Sequence, residues 1–196
     1  ASLRCTTPPP TAQGMFSAAV HLDDMSHVVL RDLELTNPGN LSEPHRGVYL
    51  TTTETVVTNV EIRDLYIHDV TGLVTFSGTA KRGGAIIADS SFVTPQTQFD
   101  GVLIENNRIE DVGRSGIYFD GTSAGSGDRP WASEEWLAGG QGIVIRRNTL
   151  KRLQGDAIVA HGTAGAIIED NVVSVGNLAG RDWLGPDPNC ADGIWT

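Results

Sequence analysis

The stretch VEIRDLYIHD, residues 60–69, contains two short runs of alternating apolar and polar residues separated by the polar pair RD. The pattern occurs in five copies, the other four being VVLRDLELTN (28–37), VLIENNRIED (102–111), IVIRRNTLKR (143–152) and AIIEDNVVSV (166–175). Within each run the apolar residues recur with a period of two, which is typical of a β-strand with one buried face. The alternation shifts phase at the polar residues, as expected where two strands of one coil meet at a corner.

A third strand separates the copies and begins, in most cases, with a glycine. Its versions are AVHL (19–22), GVYL (47–50), GAII (84–87), GIYF (116–119), DAIV (156–159) and GIWT (193–196). The five copies start 32, 42, 41 and 23 residues apart, whereas a minimal coil of this kind needs about 23 residues. We therefore expect loops at the coil corners, at residues 38–46, at 71–82 with 89–100, and at 120–141.

The repeats predict an all-β fold, a single-stranded right-handed parallel β-helix with long loops inserted at coil corners. Residues 18–196 form this solenoid, after a polar, Pro-rich lead-in at residues 1–17. Aligning the copies places Asn107, Asn148 and Asn171 in one column, where stacked amides can form a hydrogen-bonded ladder. Because the last strand pattern stops at GIWT, we expect a C-terminal segment or a second chain to complete the solenoid.

Composition narrows the classes of partner. The chain has 196 residues, 14 Lys and Arg against 24 Asp and Glu, and a formal net charge of −10. No basic stripe offers cations to phosphates, so we expect no nucleic acid partner, and no apolar run is long enough to predict a membrane span. Cys5 and Cys190 would lie about five layers apart in the stack, at roughly 4.8 Å a layer, beyond the reach of a disulfide unless the lead-in folds back.

The coils resemble the PbH1-type repeats of the pectin-lyase-like superfamily. The order IRDLYIHDV, GGAII, VLIENNRIEDVG, GIYF, IVIRRNTL, GDAIV, AIIEDNVV and DGIW is similar to bacterial β-helix glycoside hydrolases in particular, including fucosidases and xylanases. The resemblance covers about residues 18–196. It implies a secreted or periplasmic carbohydrate-active enzyme with its site in the groove along one parallel sheet.

Two aspartates are the candidate catalytic pair. Aligning the strands that follow each glycine places Asp156 and Asp192 in one column of consecutive coils, below Arg46, Gly83 and Ser115. Glycoside hydrolysis uses two carboxyl groups, one as the acid and the other as nucleophile or base. Alternatively, each aspartate caps its own turn.

Further residues are candidates for binding the sugar. His68 and Asp69 share columns with Glu110 and Asp111, and an outward column holds Thr51, Asp89, Asp120 and His161. Aromatic side chains are suited to stacking on sugar rings. The predicted substrate-binding residues are His45, Arg46, His68, Asp69, Arg114, Asp120, Trp131, Trp136, His161 and Trp195. Each has a structural alternative as a corner or core residue.

The sequence therefore predicts a secreted glycoside hydrolase that acts on a polysaccharide or oligosaccharide and needs no cofactor or metal. The first alternative is a polysaccharide lyase for a uronate polymer, with Lys81 or Arg114 as the base and Ca²⁺ as a possible cofactor. The second is a β-helix of the tailspike or adhesin type that binds glycans without cutting them. An acidic chain favours neutral glycans over polyanions.

Overall fold

The computed structural model describes residues 2–4, 17–40, 43–52, 55–73, 83–90, 98–120, 140–176 and 194–195. The strands in these residues form three sheets, in which all strand pairs are parallel. No helix in this described part of the chain has the length and apolar character to cross a membrane.

The three sheets run along the stack and are numbered here in the order in which the chain visits them. Sheet 1 consists of β2 (Ser17–Asp23), β5 (His45–Thr51), β8 (Gly84–Asp89), β11 (Ser115–Asp120), β14 (Ile158–His161) and β18 (Ile194–Trp195). Sheet 2 consists of β3 (Val28–Arg31), β6 (Val57–Arg63), β9 (Phe99–Glu105), β12 (Gly140–Arg146) and β15 (Thr163–Ala164), and β16 (Ile167–Glu169) also pairs with β12. Sheet 3 consists of β1 (Ser2–Arg4), β4 (Glu34–Asn37), β7 (Tyr66–Val70), β10 (Arg108–Val112), β13 (Thr149–Leu153) and β17 (Val172–Gly176).

Each coil passes through sheets 1, 2 and 3 in turn, so that coil 1 is β2, β3 and β4, coil 2 is β5, β6 and β7, and coil 5 ends with β17. Equivalent residues stand in register from coil to coil: Val48 pairs with Ile86, Ile86 with Ile117, and Ile117 with Ile158. These apolar columns fill the interior of the solenoid. The predicted parallel β-helix is confirmed.

Small residues are required where the chain enters sheet 1, because two consecutive residues face the core there. Val48 and Ile117 are fully buried in the core. The preceding residues also face inward, since a Cβ on Gly47 would lie 2.7 Å from the Ile67 side chain and one on Gly116 2.5 Å from the carbonyl oxygen of Ala157. Gly47 in β5 and Gly116 in β11 therefore make room for close packing near the start of each strand.

The corner between sheets 2 and 3 is built from polar residues. The predicted asparagine column forms a ladder: Asn107 Nδ2 donates to Asn148 Oδ1 at 2.9 Å, and Asn148 Nδ2 donates to Asn171 Oδ1 at 2.9 Å. Leu33 and Leu65 occupy the same position of the coil in coils 1 and 2. In all five coils the preceding residue adopts a left-handed backbone, with φ between 53° and 57° at Asp32, Asp64, Asn106, Arg147 and Asp170. Asp or Asn occupies four of these five positions, and both tolerate this conformation better than most residues. This explains the polar pair at those four corners, and Arg147 is the exception.

Each repeat copy divides between two strands that meet at this corner, as predicted. Some details of the sequence interpretation are wrong. The ends of two expected loops belong to strands, with Asp89 in β8, residues 99–100 in β9, Asp120 in β11 and residues 140–141 in β12. His45 and Arg46 belong to β5 and not to the preceding loop, and Arg46 pairs with Gly84 and not with Gly83. The lead-in also contributes a strand, because β1 pairs with β4. Cys5 and Cys190 lie outside the described residues.

Candidate functional site

The outer face of sheet 1 carries two in-register rows of side chains that point away from the core. We call the first the aromatic row, and it consists of His21, Tyr49, Ile87, Tyr118 and Val159, followed by the strand position of Trp195. We call the second the carboxylate row, and it consists of Asp23, Thr51, Asp89, Asp120 and His161. From Thr51 to His161, the carboxylate row agrees with the outward column predicted from sequence.

Both rows are buried in coils 2–4, although they face away from the core. Asp89 is 0% exposed and Asp120 is 7% exposed. Exposure rises at the ends of the carboxylate row: Asp23 is exposed in coil 1 and His161 is half-buried in coil 5. The two aspartates thus lie in a site shielded from bulk water, and the described rows are most open at coil 1.

Asp89 and Asp120 are direct neighbours, since they pair in register on β8 and β11. Neighbouring strands lie about 4.8 Å apart, and equivalent side chains point the same way. Tyr49 Oη donates a hydrogen bond to Asp89 Oδ2 at 3.1 Å and so fixes that carboxylate. Two buried carboxylates therefore share one side of the sheet, and one of them is held by a tyrosine.

Polar groups in coils 1 and 2 extend this site. The rings of His21 and Tyr49 stack with their centroids 4.9 Å apart, and the Arg46 guanidinium lies 3.9 Å from the centroid of the Tyr49 ring. Thr51 Oγ1 donates to Asp23 Oδ1 at 2.5 Å, so the contact of 2.9 Å between His21 Nε2 and Thr51 Oγ1 requires Nε2 to be the donor. Aromatic faces and hydrogen-bonding groups thus lie side by side in coils 1 and 2.

The ionisation of His21 follows from its surroundings. Partial burial lowers the pKa of His21 below its ordinary value, and Arg46 adds to this effect while Asp23 opposes it. The imidazole is therefore mainly neutral at neutral pH, with a donor at Nε2 directed at Thr51.

Asp156, one of the two predicted catalytic residues, forms a buried ion pair. Its Oδ2 lies 3.4 Å from Arg114 Nη2, and the two side chains are 6% and 2% exposed. Arg114 was predicted to bind substrate, and the structure brings it to Asp156 at the edge of sheet 1. Asp192 lies outside the described residues, so a catalytic pair of Asp156 and Asp192 stays a prediction.

His68 and Asp69 lie on sheet 3, away from the two aspartates of sheet 1. His68 donates or accepts at both ring nitrogens, with Asp69 Oδ2 at 2.8 Å and Glu34 Oε1 at 2.9 Å. Burial alone would lower the pKa of His68, but hydrogen bonds to Glu34 and Asp69 and their negative charges raise it above the ordinary value. The site on sheet 1 and this histidine are on different faces of the solenoid.

The neighbouring positions of sheet 3 form an ion-pair network. His68 pairs in register with Glu110, which accepts from Arg108 at 2.9 Å and from Arg152 at 3.1 Å. Asp111 accepts two bonds from Arg152, at 2.6 and 2.7 Å. Hydrogen bonds from these arginines lower the pKa of both carboxyl groups. These contacts fit a structural role, and sugar binding by His68 and Asp69 stays a prediction.

Several predicted binding residues cannot be placed at the site. Trp131 and Trp136 lie outside the described residues, as does Lys81 of the lyase alternative, and only the backbone of Trp195 is described. His45 is buried and packs against the backbone of Gly39 and Gly72 rather than facing the rows. Within the described residues, no three His, Cys, Asp or Glu side chains converge as metal ligands.

The sequence interpretation missed Asp89 and Tyr49 as site residues. Asp89 stands in the outward column that the sequence analysis aligned, together with Asp120. The signal was therefore present: two carboxylates at the same position of consecutive coils.

Comparison with known families agrees with this architecture. A family model described as a right handed beta helix region matches residues 11–186. The chain belongs to the right-handed beta helix family. No curated protein matches the chain by sequence. A right-handed beta helix is compatible with a carbohydrate-active enzyme or a glycan-binding protein, and the choice between them rests on the chemistry of the site.

Proposed function

We propose that this protein is a secreted or periplasmic glycoside hydrolase that cleaves a neutral polysaccharide or oligosaccharide with Asp89 and Asp120. The observation that carries the proposal is the placement of these two carboxylates opposite each other on β8 and β11, on the face of sheet 1 that points away from the core. Two carboxyl groups flanking one bond are what glycoside hydrolysis requires.

The geometry supports a division of roles. Retaining enzymes hold the two carboxyl groups about 5–5.5 Å apart and inverting enzymes about 6.5–9.5 Å apart, and residues paired across parallel strands lie nearer the shorter spacing. Tyr49 supports Asp89 as the nucleophile, because its hydroxyl orients a carboxylate oxygen. Asp120 is then the acid that protonates the leaving oxygen and, in the second step, the base that activates water. The shielding of both groups from bulk water strengthens their electrostatic effect on the substrate.

The open end of the rows supports an approach of the sugar from coil 1. His21 and Asp23 are exposed there, and the stacked rings of His21 and Tyr49 lead toward Asp89. A neutral glycan fits better than a polyanion, because the chain carries a net charge of −10 and the row itself holds three aspartates, Asp23, Asp89 and Asp120. The reaction so proposed needs no cofactor.

The ion pair of Asp156 with Arg114 supports a positioning role for both residues. A carboxylate held by a buried guanidinium is well suited to fix the start of β14 beside the site. The same ion pair speaks against Arg114 as the base of a lyase, because its guanidinium is buried and engaged by the Asp156 carboxylate.

The test begins with products from neutral glycans, including xylans, glucans and fucosylated oligosaccharides, with pectate and alginate for comparison. We expect new reducing ends from a neutral glycan and a product of retained anomeric configuration. Asp89→Asn and Asp120→Asn should each lower kcat by at least about a hundredfold. The matched control is Asp170→Asn, at an exposed corner where φ is 53° and asparagine is well tolerated, and it should stay within about twofold of wild type.

Three results would contradict the proposal. Ultraviolet absorbance of an unsaturated uronate would identify a lyase, and tight glycan binding without cleavage would identify a binding protein. If Asp156→Asn and Asp192→Asn abolish cleavage while Asp89→Asn and Asp120→Asn leave it near wild type, the reaction uses the pair predicted from sequence.

A further inference from the structure

His45 is a buried titratable residue that the proposed reaction does not use. It is 9% exposed, and neither ring nitrogen has a hydrogen-bond partner among the residues that the structure describes. The ring lies where a side chain on Gly39 would be, and a Cβ on Gly72 would lie 3.1 Å from its Cδ2. The imidazole thus fills the space between two chain segments that have room for it only because both carry a glycine.

Hydrogen bonds hold these two segments together across the ring. Gly39 N donates to Thr71 Oγ1 at 3.0 Å, and this hydroxyl donates to the Gly39 carbonyl oxygen at 3.1 Å. Leu73 N donates to the Glu43 carbonyl oxygen at 2.8 Å. We call this arrangement, formed by residues 39, 43 and 71–73 around His45, the corner clamp.

A positive charge on His45 is poorly accommodated in the corner clamp. Burial lowers the pKa of His45, the neighbouring Arg46 adds to this effect, and Glu43 opposes it. The other described segments packed against the ring, residues 37–40 and 71–73, contain no charged residue. A protonated imidazole would therefore sit beside one cation with a single carboxylate nearby, and both ring N–H groups would lack acceptors.

We propose that the corner clamp is a pH-operated latch, closed around neutral His45 and opened when a proton from solvent binds the ring and drives it into water. Because only the neutral ring fits the closed clamp, the closed form is fully stable above the ordinary histidine pKa of about 6.5. It loses stability as the pH falls below that value. The latch reaches the candidate site, because Arg46 follows His45 in β5 and its guanidinium lies against Tyr49, which binds Asp89.

Hydrogen exchange of single amides tests this inference without any assay of activity. The reporters are the amides of Gly39 and Leu73, which close the clamp, and that of Thr149, which bonds to the Asn107 carbonyl oxygen in the asparagine ladder. After correction for intrinsic exchange, the first two should exchange at least about tenfold faster at pH 5 than at pH 7.5, while Thr149 stays unchanged. In His45→Phe, whose ring does not titrate, this difference should vanish.

NMR titration of His45 in the wild-type protein gives a second, independent measurement. We expect its pKa below the ordinary value, with Leu73 and Gly39 resonances shifting in the same titration. An ordinary or raised pKa for His45, or an unchanged pH response of the two amides in His45→Phe, overturns the latch and leaves the proposed glycosidase untouched.

Discussion

Replacement of Asn148 by alanine is the sharpest test of what holds the coils together. The Asn148 side chain is fully buried and bonds in both directions along the ladder. Its Oδ1 accepts from the backbone N and the Nδ2 of Asn107, at 3.0 and 2.9 Å. Its Nδ2 donates to the carbonyl oxygens of Ile104 and Arg146, both at 3.0 Å, and to Asn171 at 2.9 Å. Alanine removes all of these bonds and leaves the Asn107 backbone N–H buried without an acceptor.

The expected loss follows from the number of bonds. A buried hydrogen bond contributes about 1 kcal/mol net, and an orphaned buried donor costs about 1–3 kcal/mol. Because the amide has two hydrogens for its three acceptors, four bonds are effectively lost. Three of them at about 1 kcal/mol and the orphaned Asn107 N–H at about 1–3 kcal/mol give a destabilisation of about 4–6 kcal/mol. With a urea dependence of about 2 kcal/mol per molar, the unfolding midpoint should fall by about 2–3 M.

Equilibrium urea unfolding, followed by circular dichroism, measures this loss. Thr149→Ala is the matched control, because the adjacent residue is half-buried and faces away from the core, and it should cost less than about 1 kcal/mol. A loss below about 1 kcal/mol for Asn148→Ala would show that the asparagine ladder contributes little to the stability of the coils.

Two further outcomes follow from packing and charge. Gly116→Ala should destabilise the fold by about 1–3 kcal/mol, because the new Cβ would lie 2.5 Å from the Ala157 carbonyl oxygen. A thermal unfolding midpoint equal to that of wild type would contradict the close packing at this position. Hydrogen bonds from Arg108 and Arg152 lower the pKa of Glu110. The Glu110 carboxylate therefore contributes fully to the free energy of unfolding above the ordinary Glu pKa of about 4.3, and this contribution is lost as the pH falls through the lowered pKa. Urea unfolding should therefore find Glu110→Gln clearly less stable than wild type at pH 7, with the difference shrinking below about pH 4, and a difference independent of pH would disprove the assignment.

Much of the fold follows from the sequence because side-chain alternation and phase shifts are local signals. The polar residues at Asp64 and Asn106 mark the corner that their left-handed backbone forms. The sequence alignment placed Gly83, and not Gly84, beside Arg46. The error arose at the start of the sheet 1 strands, where two consecutive residues face the core and the alternation of apolar and polar residues no longer shows which side chains point inward.

The site was harder to predict than the fold. Column alignment predicted that Asp120 and His161 share a row, since parallel pairing in register carries position from coil to coil. It gave no sign that Asp89 is fully buried, because an outward residue on a solenoid is expected to be solvated. The burial of His45 was also hidden, because it depends on two glycines in separate corners.

Because the strands of sheet 1 pair in register, the position of a residue in its row does not depend on the length of the loop before its strand. Asp89 and Asp120 are opposite one another although 31 residues separate them, whereas the next pair, Asp120 and His161, is separated by 41. Chain can therefore be added or removed between β11 and β12 without shifting any member of the row. In evolution or engineering, loops of different length can be exchanged at this corner while the carboxylate row keeps its geometry.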